Sequence, residues 1–477
     1  METQVIPTTE TELAGHLQRH KKRSAELRRE PVSNRVQRLR ELQAWIQGNR
    51  DRIKKAVHAD FKKPLLEVDT SEIYPVLTEL KHALKHLQQW ASPRKVDATI
   101  AYLGTRSEIR HEPKGSCLII APWNYPFSLC VGPLVSCLAA GNTVIIKPSE
   151  MTPGTSRLIR EMAEEVFDTD VVCVLEGGVE VSQQLLDLPF DHIFFTGSPA
   201  VGKLVMKAAA RNLTSITLEL GGKSPTVIDD SANLQDAAKR IAFGKFINNG
   251  QTCIAPDYVL VHHSVRDEFL KRLVKEVNTL FGNGEHVDEK SASYARLVNE
   301  RHFNRVNELI ADAVSHGATA VKLGEMNKET NFIAPVILTD VPPEARVWEE
   351  EIFGPILPLR TFRSVEEVTA MINGLPKPLA LYIFSDRKAF QETILQNTSA
   401  GSVCINECIL QFTHPNLPFG GVNNSGIGKS HGYYGFLAFS NEKPVLRQKG
   451  GWAAPYLMHP PYTTAMKKVV DVLLRWF

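Results

Sequence analysis

A cysteine placed just outside a helix end is the first residue in this chain whose position suits chemistry. Phe243, Phe246 and Ile247 fall at helical spacing, Asn248-Asn249-Gly250 reads as a helix stop, and Ile254 to Asp257 leads into the apolar run Tyr258 to Val261. Cys253 thus sits at a junction, where a rigid scaffold can present a thiol to a cleft. A small buried apolar cysteine would have the same neighbours, so residue types alone leave both uses open. A second group is Glu219 in Thr217-Leu218-Glu219-Leu220-Gly221-Gly222-Lys223-Ser224-Pro225. A carboxylate at the end of an apolar strand costs free energy unless it is paired or used. Burial would raise its pKa toward the range of a general base at neutral pH; capping the turn is the alternative.

The elements that must hold these groups follow from pattern. Residues 1 to about 10 are polar and expected to fray, and two amphipathic helical stretches follow, Val36 to Phe61 and Ile73 to Trp90, with Pro75 tolerable in a first turn. Ala91 to Lys114 suggests a small strand excursion. From Cys117 the short apolar runs Cys117–Ala121, Thr143–Ile146, Val171–Leu175 and His192–Phe195 alternate with helical segments, the signature of a doubly wound parallel sheet. Ligands in such sheets bind beyond the strands' carboxyl ends. There stand Pro122-Trp123-Asn124-Tyr125-Pro126, then Lys147-Pro148-Ser149-Glu150, then Gly197-Ser198-Pro199 with Gly202 beyond. Lys147 and Glu150 suit a nucleotide ribose, and the carboxylate would repel a 2′-phosphate, favouring NAD over NADP. Ser198 as N-cap with Pro199 behind it makes a helix start able to face a pyrophosphate, although the full three-glycine fingerprint is absent. A second α/β region runs from Pro225 to about Asn406, with a helical run expected over Ser293 to Ser315. In it Glu351 and Phe353 stand two apart, which places them on one face of an extended segment.

Composition excludes several classes. With 477 residues the chain is long enough for two or three domains. Hydrophobic residues at 43%, charged residues at 23% and a net charge of +2 give no case for nucleic acid. Seven scattered cysteines fit a reducing, cytoplasmic compartment. No apolar run approaches the roughly 18 to 20 residues that span a bilayer.

Together these stretches resemble the aldehyde dehydrogenase superfamily from about Pro31 to Leu446, with the segments at Pro122–Pro126, Lys147–Glu150, Phe195–Ser198, Leu218–Pro225, Gly250–Cys253, Glu351–Pro355 and Pro418–Gly428 in the family's order. The wording Gly250 to Tyr258 and the short N-terminus resemble the class 3 branch, which includes fatty and aromatic aldehyde dehydrogenases. The resemblance implies an α/β fold with a doubly wound Rossmann-type NAD-binding domain (residues 1–95 and 117–218) and an α/β catalytic domain (219–411). A small β bridging element (96–116 and 412–447) and a C-terminal tail (448–477) complete it. Cys253 is then the nucleophile, Asn124 and the Cys253 N–H hold the oxyanion, and Glu219 activates the hydrolytic water. Trp123, Lys147, Glu150, Gly197, Ser198, Gly202, Glu351 and Phe353 are the expected cofactor residues, for NAD by preference and NADP as the alternative. No metal is required, and a homodimer is expected. Tyr74, Tyr125, Leu129, Phe243, Ile247, Thr252 and Ile254 would line the substrate entrance; none is charged, which favours medium or long aliphatic or aromatic aldehydes.

The segment Thr463 to Phe477 forms an amphipathic pattern with Lys467, Lys468 and Arg475 beside its apolar side, suited to docking on the body, gating the entrance or touching a membrane surface. Two rivals remain: a coenzyme A-acylating relative, which usually lacks a base at Glu219, and a cysteine hydrolase, for which no histidine stands in a supporting motif. Glu219→Gln is expected to retain a burst of NADH while steady turnover falls by about 10²-fold or more; stopped-flow absorbance at saturating aldehyde checks it, and an unchanged steady rate would remove Glu219 from the role of base.

Overall fold

A computed structural model describes residues 10–97, 102, 104–448, 450–451, 456 and 459–475; the fraying expected of residues 1 to about 10 concerns a stretch that, Glu10 apart, lies outside them. The amphipathic N-terminal stretches fold as helices, with two refinements. Val36 to Phe61 divides into Val32–Gly48 and Arg50–Phe61, because Asn49 leaves helical geometry (φ −112°, ψ 19°) and serves both ends. Ahead of Tyr74–Trp90 a π-helical turn, Asp69–Ile73, inserts one extra residue per turn. A further helix, Glu10–Leu27, precedes them; its low overall hydrophobicity hid it from the apolar pattern.

The helices between Val32 and Trp90 cover one face of a six-stranded sheet, and Glu10–Leu27 packs on the other. The sheet's order is Gly426–Ile427, Ser215–Leu220, His192–Gly197, Ser116–Ile120, Thr143–Lys147, Val172–Val174, all parallel except the first. The chain winds outward from Ser116–Ile120 and then returns to its other side at His192–Gly197. The crevice between those two strands is therefore the switch point where a ligand belongs. A seven-stranded sheet follows, in the order Thr319–Lys322, Val336–Thr339, Ile356–Phe362, Tyr258–His262, Pro225–Ile228, Ala380–Phe384, Ser402–Ile405, parallel save for its first strand. Arg94–Val96, Thr105–Pro113 and Ser440–Gln448 make a small antiparallel sheet. The segment 412–447 thus does more than complete that small sheet: Gly426–Ile427 joins the edge beside Glu219, and the helix Gly432–Ala438 packs on the helices Tyr74–Trp90 and Ser128–Ala140.

Two sequence expectations change. Ser293 to Ser315 is helical only from Glu300, because Asn299 caps the helix by accepting from His302 N–H, while Arg296 and Leu297 spend their N–H groups on Phe61 and Asn331 carbonyls. The C-terminal amphipathic helix forms over Thr464–Leu474, but no residue in it is buried, and Leu474 is 70% exposed. Docking on the body is therefore not its role in the single chain.

A buried ion pair ties the helical layer to the sheet. Lys63 Nζ meets Glu72 Oε1 at 2.8 Å with both side chains fully buried. The other oxygen of Glu72 accepts the N–H groups of Phe127 and Ser128 at 3.2 and 2.9 Å, capping the helix Ser128–Ala140 that lacks a side-chain cap of its own. Removing one partner strands the other charge: Glu72→Ala is expected to cost about 3–5 kcal/mol, read as a lowered urea midpoint, and a change within about 0.5 kcal/mol, as at an ordinary surface site, would contradict this account.

Candidate active site

The Cys253 loop is built from backbone conformations that few residues adopt. Asn248, Asn249 and Gly250 are successively left-handed (φ 54°, 55° and 73°), a region asparagine and glycine tolerate best. The side-chain N–H groups of this turn are committed, while Oδ1 of Asn248 and of Asn249 is buried without a partner among the described residues. Asn248 Nδ2 donates to the Asn124 and Gln251 carbonyls (2.8 and 3.1 Å), Asn249 Nδ2 to Ala295 (2.9 Å), and Gln251 Nε2 to Asn248 and Arg296 (both 3.0 Å). At Gly250 a Cβ would strike the Gly354 carbonyl, so this turn and the Glu351 loop can meet only through glycine. The chain is delivered to Cys253, half-buried, facing a cavity that also holds Asn124, Glu219 and Glu351. Asn124 Nδ2 donates one hydrogen to the Gln251 carbonyl at 2.9 Å, which orients the amide and leaves its second N–H for a ligand.

Three acids share this enclosed space. Burial pushes the Glu219 carboxyl up to about 7, against the pull of Ser430 and His431. Ser430 Oγ donates to its Oε1 at 2.7 Å, and Oε2, also buried, has no hydrogen-bond partner among the described residues. A carboxylate with one oxygen anchored and one vacant is what a base for a bound water requires. Burial, with Asp257 adding repulsion, raises Glu351 to about 8. Burial first, then the charges of Glu351 and Glu219, drives the Cys253 thiol up to about 12, opposed by the N–H groups of Cys253 and Ile254. The thiol is consequently neutral near pH 7.

Glu351 is carried on a braced loop. Lys223 bonds Asp257 and also donates to the Val347 and Glu350 carbonyls (2.7 and 3.0 Å), while Asp257 accepts Ile352 N–H at 2.9 Å. Arg305 holds the Ile352 carbonyl at 2.6 Å. Phe353 is held at φ 44°, and its ring meets Trp123 edge-on at 5.3 Å. A Cβ on Gly221 would collide with the Glu351 carboxylate, so the glycine is what lets the acid reach the floor of the cavity.

The other expected positions divide. Trp123, Gly197, Ser198, Glu351 and Phe353 line the cavity, and Ser198 caps the helix Pro199–Ala210 by accepting Val201 N–H. Lys147 and Glu150 pair at 2.7 Å at the end of the neighbouring strand. Gly202 does not line it: it lies on the helix's inner face, where a Cβ would meet Leu220 at 2.8 Å. Of the entrance residues, Leu129 lines the cavity, whereas Phe243 and Ile247 line a neighbouring cleft and Tyr74 is 60% exposed. Tyr125 bonds Thr252 Oγ1 at 2.7 Å and lies under Lys63 Nζ, 3.8 Å from the ring centre. Ile254 is core, its carbonyl accepting the Tyr382 hydroxyl. Several contributors escaped sequence reasoning: His302, whose ring packs 4.7 Å from Trp123, the Lys223–Asp257 brace, Arg305, Ser430, and the pair Glu79–His431. Lys223 directly after two glycines and Asp257 inside the cysteine segment were visible signals; for His302 there was none.

Comparison with known proteins agrees with this geometry. The sequence matches the aldehyde dehydrogenase family over residues 4–445, and the chain belongs to that family. It is similar to 4,4'-diaponeurosporen-aldehyde dehydrogenase of Staphylococcus aureus, 42% identical over 415 residues (87% of this chain, 89% of that protein). Aldehyde dehydrogenase family 3 member A2 of Rattus norvegicus is likewise 42% identical over 435 residues (91% and 88%). Among solved structures, a substrate-bound Staphylococcus aureus AldH matches with a TM-score of 0.92 at 39% identity, covering 96% of this chain and 99% of that one. The class 3-like branch read from the cysteine segment is borne out, and membership makes the chain an enzyme that oxidises aldehydes with NAD or NADP.

Because the Cys253 thiol lies near 12, its alkylation by iodoacetamide without cofactor is expected to rise about tenfold per pH unit between about pH 7 and 10. Peptide mass spectrometry at Cys253 measures this; a rate already level by about pH 8 would show a thiolate that the surrounding carboxylates do not suppress.

Proposed function

We propose that the enzyme oxidises an apolar aldehyde, medium- or long-chain aliphatic or aromatic, to the free carboxylic acid through a thioester on Cys253 that Glu219 hydrolyses. The observation that carries this reading is the shared cavity: Cys253 and the unpaired oxygen of Glu219 face one space whose apolar lining includes Val76, Leu129, Pro133, Phe412 and Phe419. Glu79 and His431, which also line the cavity, pair with each other at 2.8 Å. A neighbour named for a carotenoid-type aldehyde is consistent with such a lining.

The residues present fit a dinucleotide. Both ring nitrogens of His302 are buried beside Trp123 without a partner among the described residues, Glu351 reaches the cavity over Gly221, and the helix capped by Ser198 opens onto the same space. Ser198 and the first turn of its helix would take the pyrophosphate, Lys147 and Glu150 the adenosine ribose, and Glu351 with Phe353 the nicotinamide end. When bound, NAD(P) supplies the hydride acceptor.

The chain's own residues do the rest. The Cys253 sulfur adds to the aldehyde carbon as its proton leaves to Glu219 or solvent, and the new oxyanion is met by the second N–H of Asn124 and the backbone N–H of Cys253. After hydride loss the carbon is a thioester. Glu219 then takes a proton from water, whose oxygen adds to the thioester carbonyl; collapse breaks the C–S bond and releases the acid. A base beside the thioester favours water over coenzyme A as acceptor. Seven free thiols suit a reducing cytoplasm. The open edge of the strand Ser440–Gln448 supports a homodimer. The unburied helix Thr464–Leu474, apolar with basic residues alongside, suits peripheral contact with a membrane; among the described residues no helix is long and apolar enough to cross one.

An aldehyde panel run with NAD and with NADP tests the whole reading. We expect kcat/KM to rise with chain length and aromaticity, to fall for charged semialdehydes, and to be higher with NAD. Glu150→Gln is expected to raise the NADP-to-NAD ratio of kcat/KM about tenfold, a difference of ~1.4 kcal/mol. Preference for charged aldehydes, or a ratio indifferent to Glu150, would overturn the respective part.

A further inference from the structure

Beside Glu219 lies an ion pair to which the hydrolytic scheme assigns no part. His431 Nδ1 meets Glu79 Oε1 at 2.8 Å, and Gly432 N–H donates to Glu79 Oε2 at 2.9 Å, so both oxygens of this buried acid are committed to one segment of chain. Glu79 comes from the helix Tyr74–Trp90, some 350 positions earlier in the chain. The rings of Phe412 and Phe419 flank the imidazole edge-on at 4.7 and 5.3 Å. His431 is also held at φ 70°, ψ 139°, a conformation almost confined to glycine, in a chain that has glycine next to it. Immediately before it, Ser430 makes the 2.7 Å bond that anchors Glu219, and Glu79, Ser430, His431 and Glu219 all line the same cavity.

Resting on the proposed hydrolytic role of Glu219, we propose that His431, charged and held in place by Glu79, is a positioning residue for deacylation, its positive charge beside Ser430 stabilising the Glu219 carboxylate that takes the proton of the attacking water. The charges facing His431 support this. From its own helix Glu79 is ionised, its acidity strengthened by His431 despite burial, and His82, which burial and His86 keep neutral, stands next to Gly432. From the sheet comes Glu219. Lys429 adds a second positive charge toward Glu219, its ammonium bound to the carbonyls of Gly420, Gly421 and Gly401. Against burial, Glu79 raises the imidazole's basicity and Glu219 adds to the effect. In the step itself one O–H bond of water breaks to Glu219 as the new C–O bond forms, the C–S bond then breaks, and the proton leaves Glu219 for solvent before the next turnover.

The test separates acylation from hydrolysis as a function of pH, using the full chain with NAD and an apolar aldehyde. Wild type should show an NADH burst followed by a steady rate whose acid limb reports Glu219. Removing the charge by His431→Gln, or its support by Glu79→Gln, should leave a burst but move that limb upward by about one pH unit, making hydrolysis about tenfold slower below it and restoring it above. The double variant should move it no further than either single one, and His431→Lys should bring it back. An acid limb that stays put in both single variants, or a loss of equal size at every pH, overturns the proposal and leaves the pair a structural staple. Absence of any wild-type burst would instead overturn the thioester scheme beneath it.

Discussion

Three successive left-handed residues cannot persist on local preference. Asn248, Asn249 and Gly250 occupy that region together, at a cost on the order of 1–3 kcal/mol for each asparagine. What offsets this is that the turn is a hub. Glu67 accepts the Asn248 N–H at 2.9 Å, the Asn124 carbonyl accepts its side chain, Gln251 Oε1 accepts Val298 N–H at 3.0 Å, and Gly354 closes over Gly250. Four segments distant in sequence therefore converge on one turn. Cys253, Asn124, His302 and Glu351 keep their mutual positions because each is tethered to that turn or to a segment touching it. A substitution that relaxed the turn would disperse the site without altering a single reacting group.

The second constraint is electrostatic. A thiol and two carboxyls in one poorly solvated cavity cannot all ionise readily: burial raises each of them, and the two carboxylates raise the thiol further. The fold answers with fixed partners instead of mobile counterions: backbone N–H groups at Cys253 and Gly222, a serine hydroxyl on Glu219, and cations held one layer away on Lys223, Lys429 and His431. The poise of Glu219 near neutrality is a balance of burial against these partners and not a property of the glutamate.

The two large sheets meet at this cavity from opposite ends. In the first, ligand-facing residues follow their strands: Trp123 and Asn124 come after Ser116–Ile120, and Ser198 after His192–Gly197. In the second, they precede them: Cys253 comes before Tyr258–His262 and Glu351 before Ile356–Phe362. The Cys253 side of the site therefore does not lie beyond the carboxyl ends of strands. Local motif marks it in the sequence instead, as a cysteine behind a helix stop.

Local sequence determined the elements and the reacting groups. The helix Pro199–Ala210 and the strand Ala380–Phe384 stand where their capping residues and apolar runs place them, because both signals act within a few residues. The family, and the proposed roles of Cys253, Glu219 and Asn124, were legible for a related reason: such roles demand particular residue types beside particular glycines, and those survive as short motifs. Tertiary structure alone decided which distant residues complete the site. His302, Arg305 and the Glu79–His431 pair carry no motif, since they act only through where folding brings them. It also decided that Ile254, adjacent to Cys253, turns into the core while Phe412, far along the chain, faces the cavity. A residue's type is written in the chain, but its burial, its partners and hence its charge state depend on surfaces that exist only once the two sheets have packed.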